Sequence, residues 1–145
     1  MSLSDYSEIE QDIKNAPEPK ILDVGTEVKA RIIMVKSGTT DKTETGEEAT
    51  YHSPVFDVPD EALCPSFSDF FWDLADREKL GEKNYQQSLR QFRDFAEAFG
   101  IDYSRLFSWE DDLPGKEGWM IVGVKKDKSG EYPDQNKVSK YIAPK

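Results

Sequence analysis

From Gly25 to Gly38 the chain alternates, with Val28, Ala30, Ile32 and Met34 on one side and Lys29, Arg31, Ile33 and Val35 on the other. Period two, β-branched residues and flanking glycines predict a first strand. A polar loop, TTDKTETGEE, leads into a second strand, ATYHSPVFDVPD, where Pro54 cannot donate to a ladder and signals an edge or a bulge. The aromatic-rich CPSFSDFFWDL predicts a third strand, with Phe70, Trp72 and Leu74 facing the core and Phe67 and Phe71 on the opposite face. The period then changes. Tyr85, Leu89, Phe92, Phe95, Ala96 and Phe99 recur at three- and four-residue spacing, so a helix is predicted over 83–99, with Asn84 as its N-cap and Gly100 at its end. IDYSRLFSWEDDLPG reads as a short helical turn and then a turn at Pro114–Gly115. EGWMIVGVKKD and NKVSKYIA give a fourth and a fifth strand, joined by KSGEYPDQ.

The expected fold is thus mainly β with one major helix. Even strand spacing without a long crossover argues against a doubly wound sheet. Five strands with the helix between strands 3 and 4 is the order of an OB-fold, a five-stranded, partly open Greek-key barrel. This domain is expected to span residues 21–145. Residues 1–20 form an acidic N-terminal segment, in which Tyr6, Ile9 and Ile13 lie at helical spacing after a Ser4/Asp5 cap until Pro17 and Pro19 stop the helix.

Charge changes the picture by its distribution. The 145 residues carry a formal net charge of −10. From Lys116 to Lys145 there are seven lysines against four acids, a net of +3, so residues 1–115 hold the other −13. Exposed charges are screened beyond roughly 8 Å at physiological salt, so a polyanion can dock on a local basic groove of an acidic protein. The total acidity argues against a histone-like coat that binds any duplex, but not against a channel. No apolar run approaches the roughly 18 residues of a membrane span and the first residues lack a signal-peptide core, so a cytoplasmic protein without a membrane partner is expected. One cysteine, Cys64, cannot form an internal disulfide, and a single cysteine with a single histidine, His52, excludes a zinc site of the Cys/His type. No cofactor or metal is expected.

The run LPGKEGWMIVGVKKD followed by NKVSKYIAP resembles the closing strands of phage-encoded single-stranded-DNA-binding proteins. In these, a Leu-x-Gly turn leads into an apolar strand and then a strand of the type Asn-x-Val-x-x-aromatic. FAEAFGID is similar to the family's helix ending in Gly-Ile. The resemblance covers about residues 21–145. It implies an OB-fold that binds single-stranded DNA during phage DNA replication or recombination, with replication or recombination proteins as further partners and the host cytoplasm as its location.

Single-strand binding needs cations that follow phosphates and flat side chains on which bases stack. The candidate cations are Lys29 and Arg31 on the first strand, Lys125, Lys126 and Lys128 at the end of the fourth, and Lys137 and Lys140 on the fifth. The candidate stacking residues are Tyr51, Trp119, Tyr132 and Tyr141. Strand parity with Val138 and Ile142 inward turns Lys137, Ser139 and Tyr141 outward, and Lys140 then needs a bulge or a strand end to reach solvent. DNA against RNA stays open. So does a second class, an acidic protein-interaction module or DNA mimic that presents carboxylates to a basic partner and anchors the contact with aromatics. An enzyme is not expected: a Ser-His-Asp triad would have to use His52, and no serine sits in a Gly-x-Ser-x-Gly turn.

Overall fold

The structure, a computed structural model, describes residues 2–144. Six strands form one antiparallel sheet: β1 (Glu27–Thr40), β2 (Ala49–Asp57), β3 (Phe67–Ser68), β4 (Phe71–Trp72), β5 (Glu117–Lys125) and β6 (Gln135–Ile142). Their order is β3-β2-β1-β5-β6, with β4 also paired to β2. Four α-helices accompany them: α1 (Glu10–Lys14), α2 (Arg77–Leu80), α3 (Glu82–Phe99) and α4 (Trp109–Asp112). Among the described residues no helix is long and apolar enough to cross a membrane. The sheet is open, because β3 and β6 pack side by side without a ladder between them.

The predicted third strand is two short strands, and Pro54 is the cause. β2 pairs with β3 through Val55 and Phe56, and with β4 through Tyr51 and His52. Between these pairs Pro54 offers no N–H, so the partner chain leaves the ladder. Asp69 N–H still reaches the Pro54 carbonyl at 3.2 Å, and the Ser53 hydroxyl donates to the Asp69 carbonyl at 2.7 Å. The register to β2 is continuous across this break, so the split moves no side chain to the other face. The faces are the reverse of those predicted because Phe67 and Phe71 pair with the inward-facing Phe56 and His52 of β2. Phe67 and Phe71 are buried, whereas Phe70 is 41% exposed and Trp72 half-buried.

Helix α3 starts at Glu82 after Gly81, without a side-chain cap, so Asn84 is inside the helix and not its cap. Gly100 takes the left-handed conformation (φ 66°) expected of a helix-ending glycine. The apolar stripe Phe92, Phe95, Ala96 and Phe99 is buried against the sheet. Phe56, Phe71 and Tyr141 meet Phe95 with ring centroids 4.7–6.3 Å apart, within the range of favourable aromatic pairs. Each such ring withdrawn from water contributes about 1.5–3 kcal/mol, so α3 and its sheet partners carry much of the core.

Two bulges set which residues face outward. In β1 the register to β2 shifts between Ile32 and Met34. Val28, Ala30 and Ile32 are buried as expected, but beyond the bulge Val35 turns inward and Met34 outward. In β6 the partner of Ile121 is Lys140 and that of Val122 is Val138, which leaves Ser139 as the extra residue. The predicted parity of the last strand therefore fails after Ser139. Lys140 faces solvent, and Tyr141 is turned into the core at 9% exposure.

Candidate nucleic-acid interface

The outer face of β1, β5 and β6 collects most of the predicted residues in consecutive ladder rows. Lys29 pairs with Trp119, and Trp119 with Ile142. In the next row Ile121 stands between Glu27 and Lys140, then Gly123 pairs with Lys137, and Lys125 with Gln135. Cross-strand partners share a face. Trp119, 47% exposed on a central strand, thus stands in a field that holds Lys29, Lys140, Lys137 and Lys125. Gly123 lets Lys137 lie down on the sheet: a Cβ there would meet Lys137 Cε at 3.2 Å.

The hairpin tip continues this face. Lys125, Lys126 and Lys128 surround a depression of about 380 Å³ together with Tyr132, Pro133 and Gln135. Tyr132 is 68% exposed. The tip is organised by Asp127, whose carboxylate accepts from the Ser129 hydroxyl at 2.6 Å and the Tyr132 N–H at 2.9 Å. These bonds, that of Ser129 first, hold the Asp127 carboxyl below its ordinary range. Among the described residues, Lys125, Lys126, Lys128, Lys137 and Lys140 make no ion pair. Lys29 is bound to Glu117 at 3.1 Å, and Arg31 to Asp57 through two hydrogen bonds of 2.7 and 3.2 Å. Asp57 raises the Arg31 guanidinium pKa further. Exposed pairs of this kind are worth at most about 1 kcal/mol, so a phosphate can compete for either cation.

Tyr51 lies elsewhere. Its β1 partner, Gly38, is seven residues beyond Arg31, up to about 23 Å along an extended strand. There it stacks on Phe70 at 5.0 Å, and Phe70 meets Trp72 edge-on at 4.8 Å. Phe70 and Trp72 escaped the sequence reading as surface aromatics because their alternation gives two faces but not which of them meets the core, and the pairing with β2 decides that. Tyr141 is removed from the stacking candidates. Its hydroxyl donates to Asp69 Oδ2 at 2.6 Å, tying β6 to the β3–β4 connection, and burial beside that carboxylate pushes its pKa well up.

A second polar cluster lies under the far end of β1. The Ser37 hydroxyl is 2.7 Å from His52 Nδ1, and His52 Nε2 is 2.8 Å from Asp73 Oδ2. A carboxylate only accepts, so Nε2–H donates to Asp73, and with that tautomer Nδ1 accepts from the Ser37 hydroxyl. This is the hydrogen-bond order of a hydrolytic triad with the two ring nitrogens exchanged. The ring is buried and stacked on Trp109 at 4.5 Å, and Asp73 Oδ1 is engaged by the Ala75 N–H at 2.9 Å. The network braces β1, β2 and the turn after β4. The chain matches no protein-family model and no curated protein.

Proposed function

We propose that this protein binds single-stranded DNA without strong sequence preference, on the outer face of β1, β5 and β6 and around the β5–β6 hairpin tip. The observation that carries this reading is the row-by-row placement of Trp119, Lys29, Lys140, Lys137 and Lys125 on one face. A base stacked on an exposed aromatic contributes about 1–3 kcal/mol whatever its identity, and neighbouring lysines follow the backbone. The unpaired lysines of the hairpin supply three to five phosphate contacts. Of residues 1–115, which hold the −13, β1 alone contributes to this face, with Glu27, Lys29 and Arg31, and the acidity of the rest limits binding elsewhere.

We read the fold as an interrupted OB-type barrel. Taking β3 and β4 as one strand broken at Pro54, five strands run in the order third-second-first-fourth-fifth, with α3 between the third and the fourth. The Tyr141–Asp69 hydrogen bond draws the end strands toward one another, although no ladder joins them. A role in phage DNA replication or recombination, in the host cytoplasm, follows from the family resemblance of the closing strands. In this reading Ser37, His52 and Asp73 are a structural brace and the protein is not an enzyme.

The test is fluorescence anisotropy of a labelled poly-dT oligonucleotide with wild type and with the Lys137→Glu/Lys140→Glu double variant. Both side chains are exposed, so the fold should survive. Reversal of two charges on the face should weaken binding more than tenfold. Equal affinity of the two proteins would reject this face.

A further inference from the structure

The acidic N-terminal arm and an apolar groove beside α3 are each left without a partner. Residues 2–20 are all exposed, and the first backbone tie to the sheet domain is the Lys20 N–H to the Leu63 carbonyl at 2.9 Å. Within the arm a single 3-10 turn, Ser7–Ile9, runs into α1, whose one ion pair is Lys14 to Glu10 at 2.9 Å. Tyr6, Ile9 and Ile13 line one side of it and remain 47–61% exposed. A helix this short is marginal in water unless its apolar side is covered. The spacing i, i+3, i+7 is that of a helix that docks into a groove.

The groove has a volume of about 560 Å³ and is walled by Leu74, Leu89, Phe92, Tyr103, Phe107 and Trp109. That is within the range of pockets that enclose a ligand or several side chains. Its lining also includes Asp73, which is bonded to His52, and Arg93, which is paired with Asp94 at 3.1 Å; Arg90, one turn earlier on the same edge of α3, makes no ion pair among the described residues. The arm from Ser2 to Lys14 holds Asp5, Glu8, Glu10 and Asp12 against one lysine, a net of −3. The two surfaces therefore match in hydrophobicity, and Arg90 offers the arm's acids an unpaired cation at the edge of the groove.

We propose that the arm of one copy docks in the α3 groove of a second copy, with Tyr6, Ile9 and Ile13 in the groove and the arm's acids toward Arg90 and Arg93. The contact is heterologous, so each copy offers one arm and one groove, and association continues from copy to copy unless it closes on itself. The exposed prolines Pro17 and Pro19 keep the linker extended, which holds the arm away from its own domain. This contact is independent of the DNA face and would link neighbouring molecules on one strand.

Sedimentation equilibrium without DNA tests it with three proteins: wild type, an arm variant (Ile9→Asp/Ile13→Asp) and a groove variant (Leu89→Asp). The arm variant touches no packed residue, and Leu89 is at the surface, with Tyr103→Ala as a second groove variant should Leu89→Asp fail to fold. Wild type should associate in a concentration-dependent way, and each variant alone should associate at least tenfold more weakly. A mixture of arm and groove variants keeps one intact arm and one intact groove, and should form a one-to-one complex and nothing larger. Monomeric wild type, association that survives either variant, or a mixture that stays monomeric would each overturn the proposal.

Discussion

Trp119→Ala isolates the stacking contribution. The side chain stands half exposed on the outer face, so its removal forfeits only part of a buried ring's worth. Its cross-strand neighbours, Lys29 and Ile142, remain in place. A stability loss of about 1 kcal/mol is expected, well short of the 3–5 kcal/mol of a core aromatic truncated to alanine. For a domain near this size that lowers Tm by roughly 2–6 °C. The affinity loss should be larger than the stability loss suggests. One stacked base is worth about 1–3 kcal/mol, which converts to roughly 5- to 150-fold in Kd at about 1.4 kcal/mol per decade. Because no charge is removed, the slope of log K against log salt should stay as it is in wild type. Anisotropy of labelled poly-dT at several salt concentrations reads both quantities on one sample, and a melting curve on the same sample confirms folding. An unchanged Kd in a folded Trp119→Ala protein would refute stacking on this face, and a changed slope would mean that Trp119 acts by placing Lys29.

Further outcomes follow from the geometry. Lys137→Ala should weaken all single-stranded sequences alike and reduce the salt slope by about 0.7, seen in the same titrations, since it removes one phosphate contact and no stacking surface. Tyr141→Ala should cost about 3 kcal/mol or more in urea denaturation, with unchanged DNA affinity of the folded fraction. Tyr141→Phe should flatten the alkaline limb of the stability curve, because above the ordinary tyrosine value of about 10 the unfolded chain releases a proton that the folded one keeps, and wild type loses stability there as pH rises. His52→Ala should destabilise the fold by about 1–3 kcal/mol by leaving Asp73 without its ring partner. A fluorophosphonate probe should leave Ser37 unlabelled, and labelling of Ser37 that depends on His52 would make the network a nucleophile.

The long regular segments were legible because their side chains repeat with the period of their own backbone. β5 and the Phe92–Phe95–Phe99 stripe of α3 are of this kind. What was hidden depends on a partner strand. The extra residue Ser139 is invisible in NKVSKYIA, yet it decides that Lys140 faces solvent and Tyr141 the core. Pro54 was readable as a disturbance in β2, but its consequence falls on another segment, where it splits the third strand; Phe70 faces outward because Phe67 and Phe71 pair with the buried Phe56 and His52. Lys29, Trp119 and Lys137 could be nominated from composition and parity. Their convergence on one face needed the antiparallel registers of β5 with both β1 and β6. The arm's apolar spacing was visible too, but only its full exposure shows that it does not complete its own core.

Whether the lysines of the β5–β6 hairpin meet a phosphate backbone is decided by titrating wild type with labelled poly-dT and with a duplex of equal length, between about 50 and 200 mM salt. Three to five phosphate contacts give a slope of roughly −2 to −4, so single-strand affinity should fall about 15- to 250-fold across that range, with the duplex bound more weakly throughout. A flat salt response, or a duplex bound more tightly than the single strand, would contradict a stacking face flanked by phosphate-binding lysines.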